Sequence, residues 1–398
     1  MENKKNLKGF GFKDILAFLG RKKKRETEID KSSEVPAPKE FSINAASKHR
    51  HPKEQLFVID SIIDHGKGCK TYRLKSKDGA PIALFRPGQY VVVREMIDGK
   101  LVSRPISISS GIEDAVNGFM DLTIKENKEG FFSPHVISSW SIGTEVKTSG
   151  PQGNFYYTSL RDEAHVIAVA GGSGITPILS MAKSIHSNDE DFVLDIIYCC
   201  KSKEDAFFLD VFNEISKEDS RVRLHLCLES DEDAEFHGLL SKVMIEQVAR
   251  KEKFSLFACG PQGMYKHLDR IADELGLDFK HYRKEIFGMP KDIFNHPSYP
   301  KGVSSEPVKA TVHMCGKDYE IPLRKDETII TAFERAGIAG PNRCRGGICG
   351  YCRSKLIKGE VFIPEECDGR RAHDKDHDYI HPCAAYPLTD IEIEVPNA

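Results

Sequence analysis

The chain has few of the features that mark membrane, nucleic-acid-binding or disulfide-stabilised proteins. No stretch of its 398 residues approaches the eighteen or so consecutive apolar residues that a membrane-spanning helix needs. The first residues do not follow the charged, apolar and small-residue order of a secretory signal. The net charge is −3, without the basic excess that nucleic-acid binding favours. These absences predict a cytoplasmic protein that has no nucleic-acid partner.

Cysteine is too sparse for a disulfide scaffold, with 11 in the whole chain, yet four cysteines follow a known ligand spacing. Cys344, Cys349 and Cys352 read C-x4-C-x2-C, and Cys383 lies further on. This is the plant-type ferredoxin pattern for a [2Fe–2S] cluster. Three thiolates on one loop would wrap the cluster and the fourth would close the cage. A zinc site or unrelated buried cysteines are the alternatives. Reduced thiolates also predict a reducing compartment.

Changes in residue pattern divide most of the chain into successive segments. Residues 54–158 contain short β-rich runs separated by Gly, Asp and Pro, which predicts an antiparallel β-barrel. Residues 159–288 alternate apolar runs with stretches of helical composition, which predicts a parallel sheet covered by helices. Residues 289–306 are rich in Pro, Gly and Ser and predict a linker. Residues 307–398 open with a hairpin that turns at Gly316, so a small third domain is expected. Cys315 and Cys367 fit no ligand position in it.

Residues 1–53 form a basic N-terminal extension and linker. Residues 1–25 contain nine Lys or Arg and two Asp or Glu, a net charge of +7, interleaved with Leu, Ile and Phe. Such a segment is typical of amphipathic helices that lie on an anionic membrane surface or dock on an acidic partner. Its glycines, among them Gly20, disfavour a helix, so an unstructured basic tail is the alternative. Pro36 and Pro38 predict a linker over residues 34–50.

A glycine-rich loop in the alternating region predicts a dinucleotide site. The sequence AVAGGSGITP at residues 168–177 follows an apolar run and precedes a helical one. The glycines let the backbone close on a pyrophosphate, and the helix N-terminus adds free amides. A later apolar run ends in CGPQGM, and ligands of parallel sheets sit at such carboxyl ends. An ordinary tight turn is the alternative for either motif alone. The predicted binding residues are Gly171, Gly172, Gly174, Cys259, Gly260 and Pro261.

The motifs RPIS, LTIKENKEGFFS, GPQGNF, GGSGITP and CGPQGM, in this order, resemble the ferredoxin–NADP reductase superfamily over about residues 54–288. Residues 307–398 look like the plant-type ferredoxin, an α+β fold of the β-grasp kind. Together the arrangement is similar to the phthalate-dioxygenase-reductase type and to reductases that serve hybrid cluster proteins. The resemblance implies an NAD(P)H:acceptor oxidoreductase that passes electrons from NADH through FAD to a [2Fe–2S] cluster. The electrons would leave to a partner redox protein or a terminal oxygenase or reductase.

The resemblance also implies roles for residues of the barrel region. Arg104 would hold the flavin phosphate and Ser107 would face the isoalloxazine, with Pro105 and Ile106 between them. Ile106 departs from the family motif, which has an aromatic residue there that stacks on the flavin. Three further residues match the segment that closes over the pyrophosphate in FAD-binding members, which favours FAD over FMN; they are Lys125, Gly130 and Ser133.

In the alternating region, the resemblance places Thr176 and Pro177 beside the nicotinamide cofactor and Cys259 near its ring. Glu285 and Phe287 would be the family's terminal acid and ring-covering aromatic residue. The implied catalytic residues are therefore Ser107, Cys259 and Glu285.

Charged residues after two of the predicted strands bear on the choice of nucleotide. NADPH carries an extra ribose phosphate, which a cation binds and a carboxylate repels. An acidic run follows the third strand of the alternating region and favours NADH; it consists of Glu229, Asp231, Glu232 and Asp233. Lys201 and Lys203 follow the second strand and favour NADPH, which remains the alternative.

The basic residues around the cysteine loop predict something about the acceptor. Arg343, Arg345 and Arg353 would attract an acidic docking face on the downstream redox protein. The alternative is that they offset the negative charge of the cluster itself. A second function from another class is also open: a non-catalytic electron-transfer subunit of a permanent redox complex.

Overall fold

The computed structural model describes residues 12–31, 41–229, 234–290 and 292–396, and the chain divides into two compact units, 1–48 and 49–398. The first unit contains helix α1 (Phe12–Asp30), and helix α2 (Ser42–Arg50) begins within it. The predicted linker over residues 34–50 is therefore wrong for residues 42–50. Gly20 lies inside α1, where one glycine costs about 1 kcal/mol that neighbouring strong helix formers and the pair Lys22–Glu26 help to offset.

The first sheet of the second unit is antiparallel and forms the predicted barrel. Its strand order is β4-β3-β6-β1-β2-β5. A bridge between Ile108 and Leu122 joins the end of β4 to β5, so the sheet curls back on itself around a buried apolar core. Its elements are β1 (Gln55–Asp64), β2 (Cys69–Ser76), β3 (Tyr90–Ile97), β4 (Lys100–Ser107), α3 (Ile112–Val116), β5 (Phe119–Lys125), α4 (Phe132–Ser139) and β6 (Glu145–Thr148).

The second sheet is parallel, in the order β10-β9-β8-β7-β11-β12, as the alternating pattern predicts. Its central strand β7 is buried along its whole length because helices cover both faces. The elements are β7 (His165–Gly171), α5 (Ile175–His186), β8 (Val193–Cys200), α6 (Leu209–Glu218), β9 (Val222–Leu228), β10 (Phe236–His237), α7 (Lys242–Ala249), β11 (Ser255–Cys259), α8 (Gln262–Leu275) and β12 (Tyr282–Glu285).

The last region is an α+β domain whose main sheet has the order β14-β13-β19-β15-β17, with a small β16-β18 pair beside it. The hairpin predicted around Gly316 is present, and a short helix follows it. The elements are β13 (Val308–Met314), β14 (Lys317–Leu323), α9 (Ile329–Arg335), β15 (Ser354–Lys358), β16 (Val361–Phe362), α10 (Ala372–Asp376), β17 (Tyr379–Ile380), β18 (Tyr386–Pro387) and β19 (Ile391–Val395).

The segment between the parallel sheet and this α+β domain packs against the domain. Ile293 and Tyr299 are buried in a cluster with Tyr386. His296 Nε2 lies 3.0 Å from Glu366 Oε1. The segment predicted as a linker therefore packs against the α+β domain.

Helices that could cross a bilayer are absent from the part of the chain that the structure describes.

Candidate redox site

A single cleft of about 1440 Å³ lies between the barrel, the carboxyl ends of the parallel strands and the α+β domain. It brings together most of the residues that the sequence assigned to flavin and nucleotide binding. The predicted residues that line it are Arg104, Pro105, Ile106, Ser107, Lys125, Gly130, Ser133, Gly171, Gly172, Gly174, Thr176, Cys259, Gly260, Pro261, Phe287 and Cys383. Pro177 is buried in α5, and Glu285 lies behind the cleft wall.

The glycine-rich loop lies against the end of β11 with no room for side chains. A Cβ on Gly174 would come within 2.0 Å of the Cys259 carbonyl oxygen. Gly172 has a φ of +53°, a backbone conformation that side chains disfavour. The loop leads directly into α5, whose first amides are oriented toward the cleft end of the sheet. Loop, helix N-terminus and cleft together fit a dinucleotide pyrophosphate.

The barrel contributes one wall of the cleft through β4, β5 and the start of α4. Ser107 is buried at the end of β4, and Lys125 ends β5 with its Nζ 5.0 Å from the centre of the Phe207 ring. The Ser133 hydroxyl accepts a hydrogen bond from the Asn127 amide at 2.8 Å. Ser133 therefore holds the loop that carries Gly130, a role that leaves its own hydroxyl hydrogen free for a ligand.

Glu285 is a buried carboxyl group beside the cleft. Its Oε2 atom is buried and has no hydrogen-bond partner among the described residues. Burial, and then the nearby Cys344, raise the pKa of Glu285 well above its ordinary value. Burial likewise raises the pKa of the Cys259 thiol. An unpaired buried acid beside an open cleft fits a site that receives a polar heterocycle such as a flavin.

Two aromatic residues stand between Glu285 and the cysteine loop. Tyr90, from β3, meets Phe287 edge-on with ring centres 5.5 Å apart. Both rings pack against Cys344 together with Val92. Burial raises the pKa of Tyr90, so its hydroxyl stays protonated. No sequence pattern had marked Tyr90.

The four predicted cluster ligands come together in the structure. Their sulfurs form one contiguous set: Cys344 interacts with both Cys349 and Cys383, and Cys383 lies 3.3 Å from Cys352. The Gly346 amide donates to the Cys344 sulfur at 3.4 Å. Four clustered cysteines with an amide donor suit a [2Fe–2S] cluster, which four thiolates hold. No group of three or more His, Cys, Asp or Glu side chains in the described ranges is arranged to hold one metal ion.

The segment around Cys383 is held next to the cysteine loop by backbone bonds. The Ile329 and Ile330 amides at the start of α9 donate to the Ala385 and Pro382 carbonyls, each at 3.0 Å. His381 Nδ1 donates to the Gly347 carbonyl at 2.6 Å. Gly347 itself has no room for a Cβ, which would lie 1.9 Å from the Cys367 carbonyl oxygen. His381 is thus a supporting residue that the sequence reasoning missed.

The cysteine loop also packs on the parallel-sheet domain. A Cβ on Gly346 would lie 2.4 Å from the carbonyl oxygen of Ile286. Because Ile286 directly precedes Phe287, the loop, the end of β12 and Tyr90 form one continuous contact.

Arg104 and Arg345 meet at a residue that the sequence did not single out. Glu334, in α9, accepts from Arg104 Nη1 at 3.0 Å and from Arg345 Nη1 at 2.6 Å. The Ser103 amide donates to the same carboxylate at 3.2 Å. Burial, and then the neighbouring Arg345, lower the pKa of Arg104 to about 10. Arg104 therefore bridges the barrel and the α+β domain.

These contacts revise the predicted basic surface around the cysteine loop. Arg345 is buried against Glu334, so the prediction that it contributes charge to a docking surface is wrong. Arg353 pairs with Asp374 at 2.5 Å and lies over the Tyr379 ring. Arg343 stacks on Tyr351 at 3.8 Å and has no carboxylate partner in the described residues.

The residues predicted to choose the nucleotide lie partly at the cleft. Glu229 and Lys201 both line it, after β9 and β8 respectively. Lys203 lies two residues beyond and is exposed. Asp231, Glu232 and Asp233 fall outside the described residues.

Comparison with known proteins gives three family matches in order along the chain. Residues 58–157 match the oxidoreductase FAD-binding domain, residues 168–270 the oxidoreductase NAD-binding domain, and residues 312–388 the 2Fe-2S iron-sulfur cluster binding domain. The chain belongs to the ferredoxin–NADP reductase superfamily, in the group with a C-terminal [2Fe–2S] domain. It is an NAD(P)H-dependent oxidoreductase of the ferredoxin reductase type, with FAD and a [2Fe–2S] cluster as its electron carriers. The predicted family and fold classes are confirmed.

Several relatives match this chain over most of both lengths. The glycine betaine monooxygenase reductase subunit of Chromohalobacter salexigens is 28% identical over 331 residues, covering 80% of this chain and 89% of the relative. The ferredoxin reductase component of the Rhodococcus rhodochrous 3-ketosteroid-9-alpha-monooxygenase is 25% identical over 316 residues, covering 77% and 86%. The solved structure of phthalate dioxygenase reductase has the same fold, with a TM-score of 0.64 at 21% identity over 86% of this chain and 98% of the other.

Proposed function

We propose that the chain is the NADH-dependent reductase of a multi-component system and that it delivers single electrons to a separate terminal oxygenase or reductase. The observation that carries the proposal is the packing of Cys344 against Tyr90 and Phe287, at the cleft where the flavin and nucleotide motifs meet. A cluster ligand thus lies against the wall of the hydride-transfer site. The relatives named as reductase components of two monooxygenases support the same assignment.

Some residues of the cleft would position the cofactors, and others would bind their phosphate charges. Gly171–Gly174 and the start of α5 would seat the nucleotide, with Cys259 at the strand end beside it. Arg104, Lys125 and the loop fixed by Ser133 would hold the flavin phosphates. FAD, when bound, accepts a hydride and releases electrons singly, which a cluster requires. Ser107 would supply a hydrogen bond at the ring, and Glu285, whose pKa burial raises, lies in the strand next to Cys259.

NADH is favoured over NADPH because Glu229 lines the cleft after β9, where it would repel the extra phosphate. Lys201 lines the cleft as well, so the preference depends on which of the two lies nearer the ribose.

Anaerobic stopped-flow spectroscopy of the purified, cofactor-loaded chain tests the proposal. Mixing with NADH should bleach the flavin first and the cluster afterwards, and NADPH should act more slowly at equal concentration. A flavin that stays oxidised with either nucleotide would instead favour the alternative, a non-catalytic subunit of a permanent complex.

A second proposal concerns the N-terminal unit, where helix α1 carries exposed Ile15, Leu16, Phe18 and Leu19 ahead of the basic run 21–25. We propose that α1 lies on an anionic membrane surface. In a sedimentation assay with anionic vesicles, the full chain should be found in the pellet, and a variant that begins at Phe41 should stay in the supernatant. Equal amounts of both proteins in the pellet would refute the role of α1.

A further inference from the structure

The two ends of the cysteine loop face different surroundings. Cys344 is buried, and it packs on Tyr90, Val92 and Phe287 of the two reductase domains. Cys349 is exposed, as is its neighbour Ile348, which keeps 51% of its surface accessible. One side of the ligand set therefore faces the source of electrons, and the other side faces solvent.

Ile348 is the apolar centre of this exposed side. The backbone of Gly369 packs directly on it, since a Cβ there would lie 2.7 Å from the Ile348 Cα. The chain then continues into Arg370 and exposed Arg371. On the loop itself, the Arg343 guanidinium stacks on Tyr351 at 3.8 Å. Ile348 thus lies between two arginine-bearing segments.

The arginines of this side differ in their partners. Arg370 pairs with Asp368 at 2.8 Å and Arg353 pairs with Asp374 at 2.5 Å, so both carboxylates already have cationic partners. Arg343 and Arg371 have no carboxylate partner within the described part of the chain. Two arginines without a carboxylate partner therefore border the loop that carries the exposed ligand Cys349.

We propose that the surface formed by Arg343, Ile348, Cys349, Tyr351 and Arg371, here called the exit surface, is where the electron acceptor docks. The inference rests on the proposed function and adds the partner's chemistry: a protein with a small apolar patch rimmed by carboxylates. A central apolar contact desolvates the electron path, and rim charges speed and orient the encounter. Because Cys344 stays packed on the reductase domains while Cys349 and Ile348 remain exposed, an acceptor can dock without movement of the α+β domain.

Binding to one haem protein in two charge states tests the exit surface. The probes are native cytochrome c, which is rich in lysine, and the same protein succinylated so that its lysines become carboxylates. Both are presented in the ferric state to the oxidised, cofactor-loaded full chain, and Kd is measured by biolayer interferometry at low and moderate salt. The succinylated form should bind about tenfold more tightly at low salt, and the difference should shrink as salt rises.

Variants locate the binding to the exit surface. Arg343→Glu and Arg371→Glu should each weaken binding of the succinylated form several-fold, and Ile348→Ser should weaken it with little change in salt dependence. Lys317→Glu makes the same charge change on the exposed β13–β14 hairpin of the same domain and is the matched control. Its binding should equal that of the unmodified chain. An equal loss with Lys317→Glu, or equal affinity for the two cytochrome forms, would overturn the proposal.

Kinetics separate this inference from the proposed function beneath it. NADH bleaching of the flavin reports the reductase activity, and kcat/KM for the succinylated cytochrome reports docking. Bleaching with no effect of the Arg343 and Arg371 changes on kcat/KM would refute the exit surface alone. Absence of bleaching in the unmodified chain would refute the proposed function instead.

Discussion

Arg104 of the barrel donates to both carboxylate oxygens of Glu334 in the α+β domain, each at 3.0 Å. The two residues are 230 positions apart, and only 4% of the Glu334 side chain is exposed. Arg345 donates to the same carboxylate, so one acidic group neutralises two largely buried cations. This triad joins the strand that carries the predicted flavin motif to the domain that carries the cluster ligands.

Glu334→Gln should loosen the docking of the α+β domain. The amide keeps the shape but removes the charge that holds two arginines, and breaking a buried pair of this kind costs about 3–5 kcal/mol. We expect the transfer from flavin to cluster to slow at least about tenfold in anaerobic stopped flow, while the first bleaching of the flavin by NADH persists. Glu327→Gln is the control, because Glu327 is equally buried but pairs with Arg335 inside the same domain. An unchanged transfer rate in Glu334→Gln would contradict the docking role.

Replacing single cysteines distinguishes ligands from bystanders. Cys383 and Cys367 are both buried and both lie outside the main cysteine loop. Only Cys383 contacts another ligand sulfur, that of Cys352 at 3.3 Å. Cys383→Ser should therefore abolish stoichiometric iron and acid-labile sulfide, and Cys367→Ser should keep about two irons per chain. Iron and sulfide analysis, with the spin-resonance signal of the reduced cluster, measures both; cluster loss in the two variants alike would reject the assignment.

The parts of the site that the sequence predicts are local ones. Cys344, Cys349 and Cys352 lie within nine residues of sequence, so their spacing identifies them. Gly172 and Gly174 belong to a loop whose geometry depends on the absence of side chains, so composition identifies it. Glu334 and Tyr90 could not be found this way, because each acts through contacts with residues far away in sequence. No local sequence motif distinguishes an acidic residue on a short helix or a tyrosine on a strand from others of their type.

Local composition does not report tertiary contacts. Arg345 reads as a surface charge in the sequence but is buried against Glu334. The Pro- and Gly-rich composition of residues 289–306 predicts a linker, and it gave no sign that Ile293 and Tyr299 would be buried there.

Nucleotide preference should respond to Glu229. Glu229→Arg would place a cation where the extra ribose phosphate of NADPH is expected, and we predict that the ratio of kcat/KM for NADPH to that for NADH rises about tenfold or more. Glu214→Arg on the exposed side of α6 makes the same charge change outside the cleft and should leave the ratio unaltered. Steady-state reduction of ferricyanide measures both. A ratio that moves equally in the two variants would show a general charge effect and not a contact.

The parallel-sheet domain contains a buried polar network that should make its stability depend on pH. Asp195 is fully buried and interacts with Arg223, His165 and His225 at 2.5 to 2.8 Å. Burial alone would raise the pKa of Asp195, but these hydrogen bonds hold it well below its ordinary value. Burial opposes the charge of His225, yet its bonds to Asp195 and Glu235 raise its pKa overall.

The signs of the two shifts define a window of greatest stability. A lowered pKa on Asp195 means that its contribution is present above the unfolded value of about 4 and is lost as pH falls further. A raised pKa on His225 means that its contribution is complete below about 6.5 and is lost as pH rises through the folded value. The network should therefore stabilise the domain most between about pH 4 and 6.5.

His225→Gln should lower the melting temperature of the cofactor-loaded chain most at pH 6, and the difference from the unmodified chain should narrow as pH rises, because the native histidine loses its charge. Asp195→Asn should lower it throughout this range, since it leaves Arg223 and both histidines without their buried carboxylate. Far-ultraviolet circular dichroism measures both, with exposed His237→Gln as the control. If the melting temperatures of His225→Gln and the unmodified chain differ by the same amount from pH 6 to 9, the imidazole acts through packing and not through its charge.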